Sequence, residues 1–144
     1  MINTDLYLHF NGRTEEAFKF YQSVFGGEFI TAQRYKDMAG SDKMNDADRE
    51  RMMHISLKIT PSTTLMGSDL PSTEDKNFRL GNNYHICLQA ETEKEANKLF
   101  KTLSTDGKVE MPMNKTFWGA YLGMVEDKFG VHWMINFTYP KSNQ

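Results

Sequence analysis

The sequence predicts an α+β fold made of two βαβββ modules, and three observations carry that prediction. The first is a repeat. Glu15-Glu16-Ala17-Phe18-Lys19-Phe20-Tyr21 is echoed 79 positions later by Lys94-Glu95-Ala96-Asn97-Lys98-Leu99-Phe100. Glu16/Glu95, Ala17/Ala96 and Lys19/Lys98 are identical, and Phe20/Leu99, Tyr21/Phe100 and Val24/Leu103 stay apolar. The second is that each copy follows a short apolar run, at 6–10 and again at 84–88. The third is that each copy precedes three strand-like runs adjacent in sequence. Such runs pair as antiparallel hairpins, so a mixed sheet with its helix on one face is expected.

Each element has its own reason. In 6–10, Leu6, Leu8 and Phe10 alternate with Tyr7 and His9, the period of a half-buried strand. Asn11-Gly12 ends it. Ala17, Phe20, Tyr21 and Val24 recur at i, i+3, i+4 and i+7, the stripe of an amphipathic helix. Glu15 and Glu16 occupy its first turn, where acids favour the helix dipole, and Gly26-Gly27 stops it. A strand is predicted over 28–35. The polar stretch 37–50 has no apolar period and reads as a mobile loop. Residues 52–59 and 63–67 form a hairpin around Pro61.

Residues 68–83 are turn-rich, with Pro71, Gly81 and Asn82. The chain is thus read as one domain over 1–144, with a first module over roughly 4–68, a linker over roughly 69–83 and a second module over roughly 84–138. The second module restarts with a strand at 85–88. Thr92-Glu93-Lys94-Glu95 is a capping box that opens the second helix, and Ala96, Leu99, Phe100 and Leu103 supply its buried stripe. Three more strands follow at 109–113, 117–126 and 131–137, the last two joined through Asp127-Lys128-Phe129-Gly130.

Composition excludes several function classes. The 144 residues are 39% hydrophobic and 25% charged, ordinary for a globular protein. Modules of about 70 residues bury small cores, so packing together or across a homodimer is expected. A net charge of −2 gives no electrostatic case for nucleic acid or an anionic membrane. Without a long apolar run or a charged-then-apolar leader, a soluble cytoplasmic protein is expected. Cys87 is the only cysteine, so no intrachain disulfide forms, and its apolar strand reads as core. Gly26-Gly27 joins helix to strand, the reverse of the glycine turn that seats a nucleotide-type cofactor on a helix N-terminus. Methyl transfer is therefore not expected.

The resemblance rests on Tyr7-Leu8-His9-Phe10-Asn11-Gly12 and Glu16-Ala17-Phe18-Lys19-Phe20-Tyr21 running to Phe25-Gly26-Gly27-Glu28. It continues through Leu65-Met66-Gly67-Ser68-Asp69, Phe117-Trp118-Gly119, and Asp127-Lys128-Phe129-Gly130-Val131-His132-Trp133-Met134-Ile135-Asn136. In this order the motifs resemble the vicinal-oxygen-chelate superfamily (the glyoxalase, bleomycin-resistance and extradiol-dioxygenase fold). Within it they resemble the PhnB-like group, also labelled demethylubiquinone methyltransferase-like. The resemblance implies that each module's four strands curve around a cavity. It also implies metal ligands on the first and last strand of each module in the family's metal enzymes. Carried over, these fall on His85 and Met134 in the second module, and near Asp5 or Tyr7 and near Met66 to Ser68 in the first. His85 is the clear donor; the Met134 thioether suits hard or borderline ions poorly.

The candidate chemistry centres on histidines. His9 and His85 lie on first strands, and His132, Met134 and Asn136 share one face of the last strand, opposite Trp133 and Ile135. His54, near Arg51 at the start of a strand, reads as structural or surface. No carboxylate stands at a fixed spacing to orient a histidine base. Trp118 and Tyr121, next to Gly119 and Gly123, read equally as pocket wall and as core. The expectation is a small-molecule-binding protein without the usual metal centre and with no cofactor. Its pocket would be lined by Tyr7, His9, Met66, Ser68, His85, Trp118, Tyr121, His132, Met134 and Asn136. One alternative is a metal-dependent lyase, isomerase or dioxygenase using His85 with His9 or His132. Another is a resistance-type binder that sequesters its ligand.

Overall fold

A computed structural model of the chain describes residues 1–141. It divides into two compact units, Met1–Arg79 and the part from Leu80 onward. Each contains a four-stranded mixed sheet with a helix packed on one face, as the α+β reading requires.

In the first unit the strands are β1 (Leu6–Phe10), β2 (Phe29–Arg34), β3 (Met52–Thr60) and β4 (Thr63–Asp69), in the order β1-β4-β3-β2. β1 runs parallel to β4, and the other neighbours are antiparallel. Helix α1 (Thr14–Phe25) packs on β3 and β4 and buries Ala17, Phe18 and Tyr21 completely. Gly67 makes this approach feasible, because a Cβ there would lie 2.6 Å from Phe18 Cε1. The start of α1 has no side-chain cap of its own. Buried Asp69, at the end of β4, supplies one from across the sheet. Its Oδ1 accepts from Gly12 N (2.8 Å), Thr14 N (3.1 Å) and Thr14 Oγ1 (2.7 Å), and its Oδ2 accepts from Met52 N (2.9 Å).

The stretch 37–50 differs from the expected mobile loop. A 3-10 turn at Tyr35–Asp37 leads into a second at Ser41–Lys43 and a short helix α2 (Asp46–Glu50), capped by Asn45 Oδ1 accepting from Asp48 N at 2.8 Å. Its order comes from polar contacts, which an apolar period cannot reveal. Buried Asp48 accepts from Ser72 Oγ at 2.8 Å and lies 3.7 Å from Arg51.

The second unit repeats the plan with β5 (Ile86–Gln89), α3 (Glu93–Leu103), β6 (Lys108–Lys115), β7 (Ala120–Glu126) and β8 (His132–Thr138), in the order β5-β8-β7-β6. β5 runs parallel to β8. Helix α3 packs on β7 and β8. Its cap is the expected Thr92, whose Oγ1 accepts from Glu95 N at 3.0 Å. The return bond of Glu95 goes to Glu91 N rather than to Thr92, so the box closes one residue early.

Candidate functional site

The two parallel strand pairs sort their side chains by face. In the second unit Leu88, Trp133 and Ile135 are buried toward α3. Cys87 and Gln89 of β5, Met134 and Asn136 of β8, and Leu122, Met124 and Glu126 of β7 fall on the opposite, open face. His85, just before β5, precedes Cys87 by two residues, and His132 opens β8.

A turn fixes where β8 begins. Asp127 Oδ1 accepts from Phe129 N (2.8 Å) and Val131 N (3.0 Å), and its Oδ2 accepts from the indole Nε1 of Trp133 (2.9 Å). Asp127 and Trp133 are both buried. The turn and the first core residue of β8 are therefore locked to one carboxylate. His132 sits between them on the open face, 5% exposed, and pairs with Glu126 across the sheet.

Glu110 reaches this point from β6 by way of a β-bulge. Val109 pairs with Val125 and Met111 with Met124, leaving Glu110 as the extra residue. Bulges re-aim side chains, and this one directs a carboxylate at both histidines. Glu110 Oε1 lies 2.8 Å from His132 Nδ1, and Oε2 lies 3.2 Å from His85 Nε2. The imidazoles meet edge to face, with ring centroids 5.6 Å apart, and Tyr84 stands edge-on to His132 at 5.5 Å. Glu126 Oε1 lies 3.9 Å from His132 Nε2.

Burial, the largest single influence, raises the Glu110 carboxyl, but the hydrogen bonds from His132 and His85 and their charge outweigh it. The net effect is a carboxyl held below its ordinary value. An ionised carboxylate only accepts hydrogen bonds. His132 therefore presents Nδ1–H to it and His85 presents Nε2–H. In a neutral ring the opposite nitrogen keeps its lone pair, so a Glu110–His85 dyad can accept a proton from a bound molecule at His85 Nδ1. Sequence reasoning found no orienting carboxylate because Glu110 sits in a bulge with no visible period.

The trio also bears on metal chemistry. Of the two positions where the resemblance implies metal ligands in this unit, His85 offers a nitrogen that suits a borderline divalent ion and Met134 only a thioether. One ligand atom each from His85, Glu110 and His132, however, lies within 4.8 Å of the others. Two nitrogens and one carboxylate oxygen are the donors that borderline divalent ions take.

The predicted pocket residues of the first module share one face of their own sheet. Tyr7, His9, Met66 and Ser68 lie on the open face of the first sheet. Ser68 Oγ is 3.2 Å from His9 Nδ1, and Tyr7 Oη is 3.2 Å from His54 Nδ1. His54 thus belongs to this polar row. Superposing Leu8/Gly67 on Leu88/Ile135 sets the His9–Ser68 pair against Gln89–Asn136, where Asn136 Nδ2 donates to Gln89 Oε1 at 2.7 Å. The same superposition sets His85 against Asp5.

Three expectations are corrected. Trp118 lies in the β6–β7 turn rather than in a strand, 62% exposed, with Phe117 beside it at 97%, so neither is core. Tyr121 points toward α3, donating to Asn97 Oδ1 at 2.7 Å, because it shares the parity of helix-facing Gly123. Cys87 is exposed; the run Ile86-Cys87-Leu88 hid its alternation. A separate cleft of about 290 Å³ in the first unit is lined by Gly12, Glu15, Arg34, Glu50, Arg51 and Asp69, among others. Its charged groups already pair with protein partners: Arg34 with Glu15, Glu50 with Lys36, and Arg51 with Asp75.

Comparison with known proteins gives a consistent picture. The model of the Glyoxalase/Bleomycin resistance protein/Dioxygenase superfamily matches residues 5–135. Protein YjdN of Escherichia coli is 28% identical over 146 residues, covering 96% of this chain and 97% of that protein. The crystal structure of protein PA1353 from Pseudomonas aeruginosa superposes with a TM-score of 0.81 at 32% identity, covering 96% of this chain and 98% of that one. A Bacillus cereus PhnB protein, named for 3-demethylubiquinone-9 3-methyltransferase, superposes with a TM-score of 0.77 at 26% identity, covering 95% and 100%.

Proposed function

The chain belongs to the Glyoxalase/Bleomycin resistance protein/Dioxygenase superfamily, and from that premise we propose that it binds a small, partly apolar molecule on the open face of its second sheet. The observation that carries this reading is the composition of that face. Half-buried Leu122, Met124 and Met134 form an apolar floor beside the hydrogen-bonded trio His85–Glu110–His132. Apolar surface with a few convergent polar groups is the usual make-up of a small-molecule site. Methionine adds a floor that adapts its shape. The ligand's apolar part rests on the methionines and its polar end meets His85, which can take a proton from it while Glu110 holds the imidazole tautomer.

The reading does not extend to methyl transfer. Gly26 and Gly27, at φ +77° and +85°, end α1, and so present no helix N-terminus to a cofactor. A homodimer is part of the proposal, supported by Ile30 and Val109, which are 62% and 51% exposed on the edge strands β2 and β6. Sedimentation as a monomer at micromolar concentration would remove that part.

The binding test uses protein labelled with ¹³C at the methionine methyls and a library of small aromatic metabolites. Binding on this face moves the Met124 and Met134 signals and leaves Met38, in the first unit, unmoved. A library in which no member shifts Met124 or Met134 overturns the reading.

A further inference from the structure

We propose that His85, Glu110 and His132 bind one borderline divalent ion of the Zn²⁺ type, within the second unit alone and with a ligand set different from the one that the resemblance implies for the family's metal enzymes. Only His85 belongs to both sets. Met134, where the resemblance calls for a carboxylate, is a thioether, and the ionised group is supplied instead by Glu110 from the β6 bulge. The second nitrogen comes from His132, two residues before Met134.

Three observations converge. The donor atoms lie within 4.8 Å of one another, close enough to share one ion after small side-chain movements. The donors are held in place: His132 is 5% exposed and follows directly on the Asp127-locked turn, and Glu110 is fixed by a bulge. An outer partner already stands behind one ligand, since Glu126 Oε1 lies 3.9 Å from His132 Nε2. When Nδ1 of His132 gives its lone pair to an ion, its proton moves to Nε2, and Glu126 is there to accept that N–H. A carboxylate behind a ligating histidine fixes its tautomer and ring orientation. Two imidazoles and one carboxylate favour zinc, cobalt or ferrous iron over magnesium and calcium, which require oxygen-rich sites.

This inference does not need the organic ligand proposed above, so the two can fail separately. The test takes the full chain stripped with chelator. It is titrated with CoCl₂, followed by visible absorption, and with ZnCl₂, followed by calorimetry. One ion per chain is expected, without competition from equimolar Mg²⁺ or Ca²⁺. Glu110→Gln keeps the shape but loses the charge and one of the two acceptor oxygens, and His132→Asn removes a ligand nitrogen. Each should weaken zinc binding by more than the roughly tenfold that losing even an outer partner costs. His9→Ala should bind as the parent does. Imidazole ¹⁵N spectra of the unaltered protein provide a readout independent of whether a variant folds. Zinc should shift Nδ1 of His132 and Nε2 of His85. The proposal is overturned by absence of zinc binding, by unchanged ¹⁵N signals at those two nitrogens, or by loss of binding in His9→Ala. Retained affinity in Glu110→Gln and His132→Asn overturns it as well. Running the methionine-methyl screen on metal-free and zinc-loaded protein then tells failure of the metal site from failure of the ligand reading.

Discussion

Asp127→Asn should unfold this protein far more easily than a swap of one atom suggests. The carboxylate serves three donors at once: Phe129 N and Val131 N at Oδ1, and Trp133 Nε1 at Oδ2. An amide has one acceptor and one donor end. With its oxygen toward the two backbone N–H groups, its NH₂ faces the indole N–H, and two buried donors go unpaired. Turned the other way, the NH₂ faces both backbone donors, which is worse. Each buried donor left unpaired costs about 1–3 kcal/mol, and the charge-assisted part of the remaining bonds is lost too. The sum is about 3 kcal/mol, or a shift of about 1.5 M in the urea midpoint at a slope of about 2 kcal/mol/M. The assay is urea unfolding followed by far-UV circular dichroism. The decisive comparison repeats it in a Trp133→Phe background, where the indole donor is gone. There Asp127→Asn should cost about 1–2 kcal/mol less, a coupling typical of groups in one network. A loss below about 1 kcal/mol, or an equal loss in both backgrounds, refutes the three-donor argument.

Gly123→Ala should destabilise by about 1–3 kcal/mol, seen as a lower urea midpoint, because the added Cβ would lie 2.5 Å from Met113 Sδ and 2.9 Å from Phe100 Cε2. Glu110 titrates below the ordinary carboxylate range, so its bridge stabilises the fold above that range and fades as pH falls through the lowered folded-state value. The stability gap between the parent and Glu110→Gln should therefore be widest near neutral pH and close at acid pH, as urea midpoints across pH will report. Burial pushes the Cys87 thiol up. Iodoacetamide should thus label it slowly at neutral pH despite its exposure, and faster only as pH climbs past the ordinary thiol range. Thr92→Ala should cost about 1 kcal/mol by removing the cap on α3, measurable by the same unfolding assay.

Much of this was legible in the sequence, for reasons that vary by element. The helices showed because their buried stripes carry the 3.6 period and their ends carry acids and glycines. The strand faces of Tyr7/His9 and His132/Met134/Asn136 showed because alternation fixes parity. Glu110 did not show, since register shifts on both sides of Met111 scramble parity along β6. Tyr121 and Trp118 looked equivalent as aromatics, yet a strand takes one and a turn the other. The segment 37–50 looked unstructured because polar bonds hold it: a local cap from Asn45 to Asp48 N and a bond from Ser72 to Asp48, 24 residues apart. Site residues that depend on pleat and spacing could be read, and those that depend on a bulge or a long-range polar bond could not.

The parallel pairing of first and last strands has a kinetic consequence. Leu6 pairs with Leu65 and Ile86 with Trp133, whereas β3–β4 and β7–β8 join through short turns. Hairpins close in microseconds, but bringing the two ends of a unit together requires closing a far longer loop. Contact order therefore orders assembly within each unit, with the antiparallel ribbon early and the opening strand late. His85 arrives with that late strand, while Glu110 and His132 belong to the ribbon. The carboxylate and the first imidazole thus meet before the second imidazole docks, and the site forms only with the slowest contact of its unit.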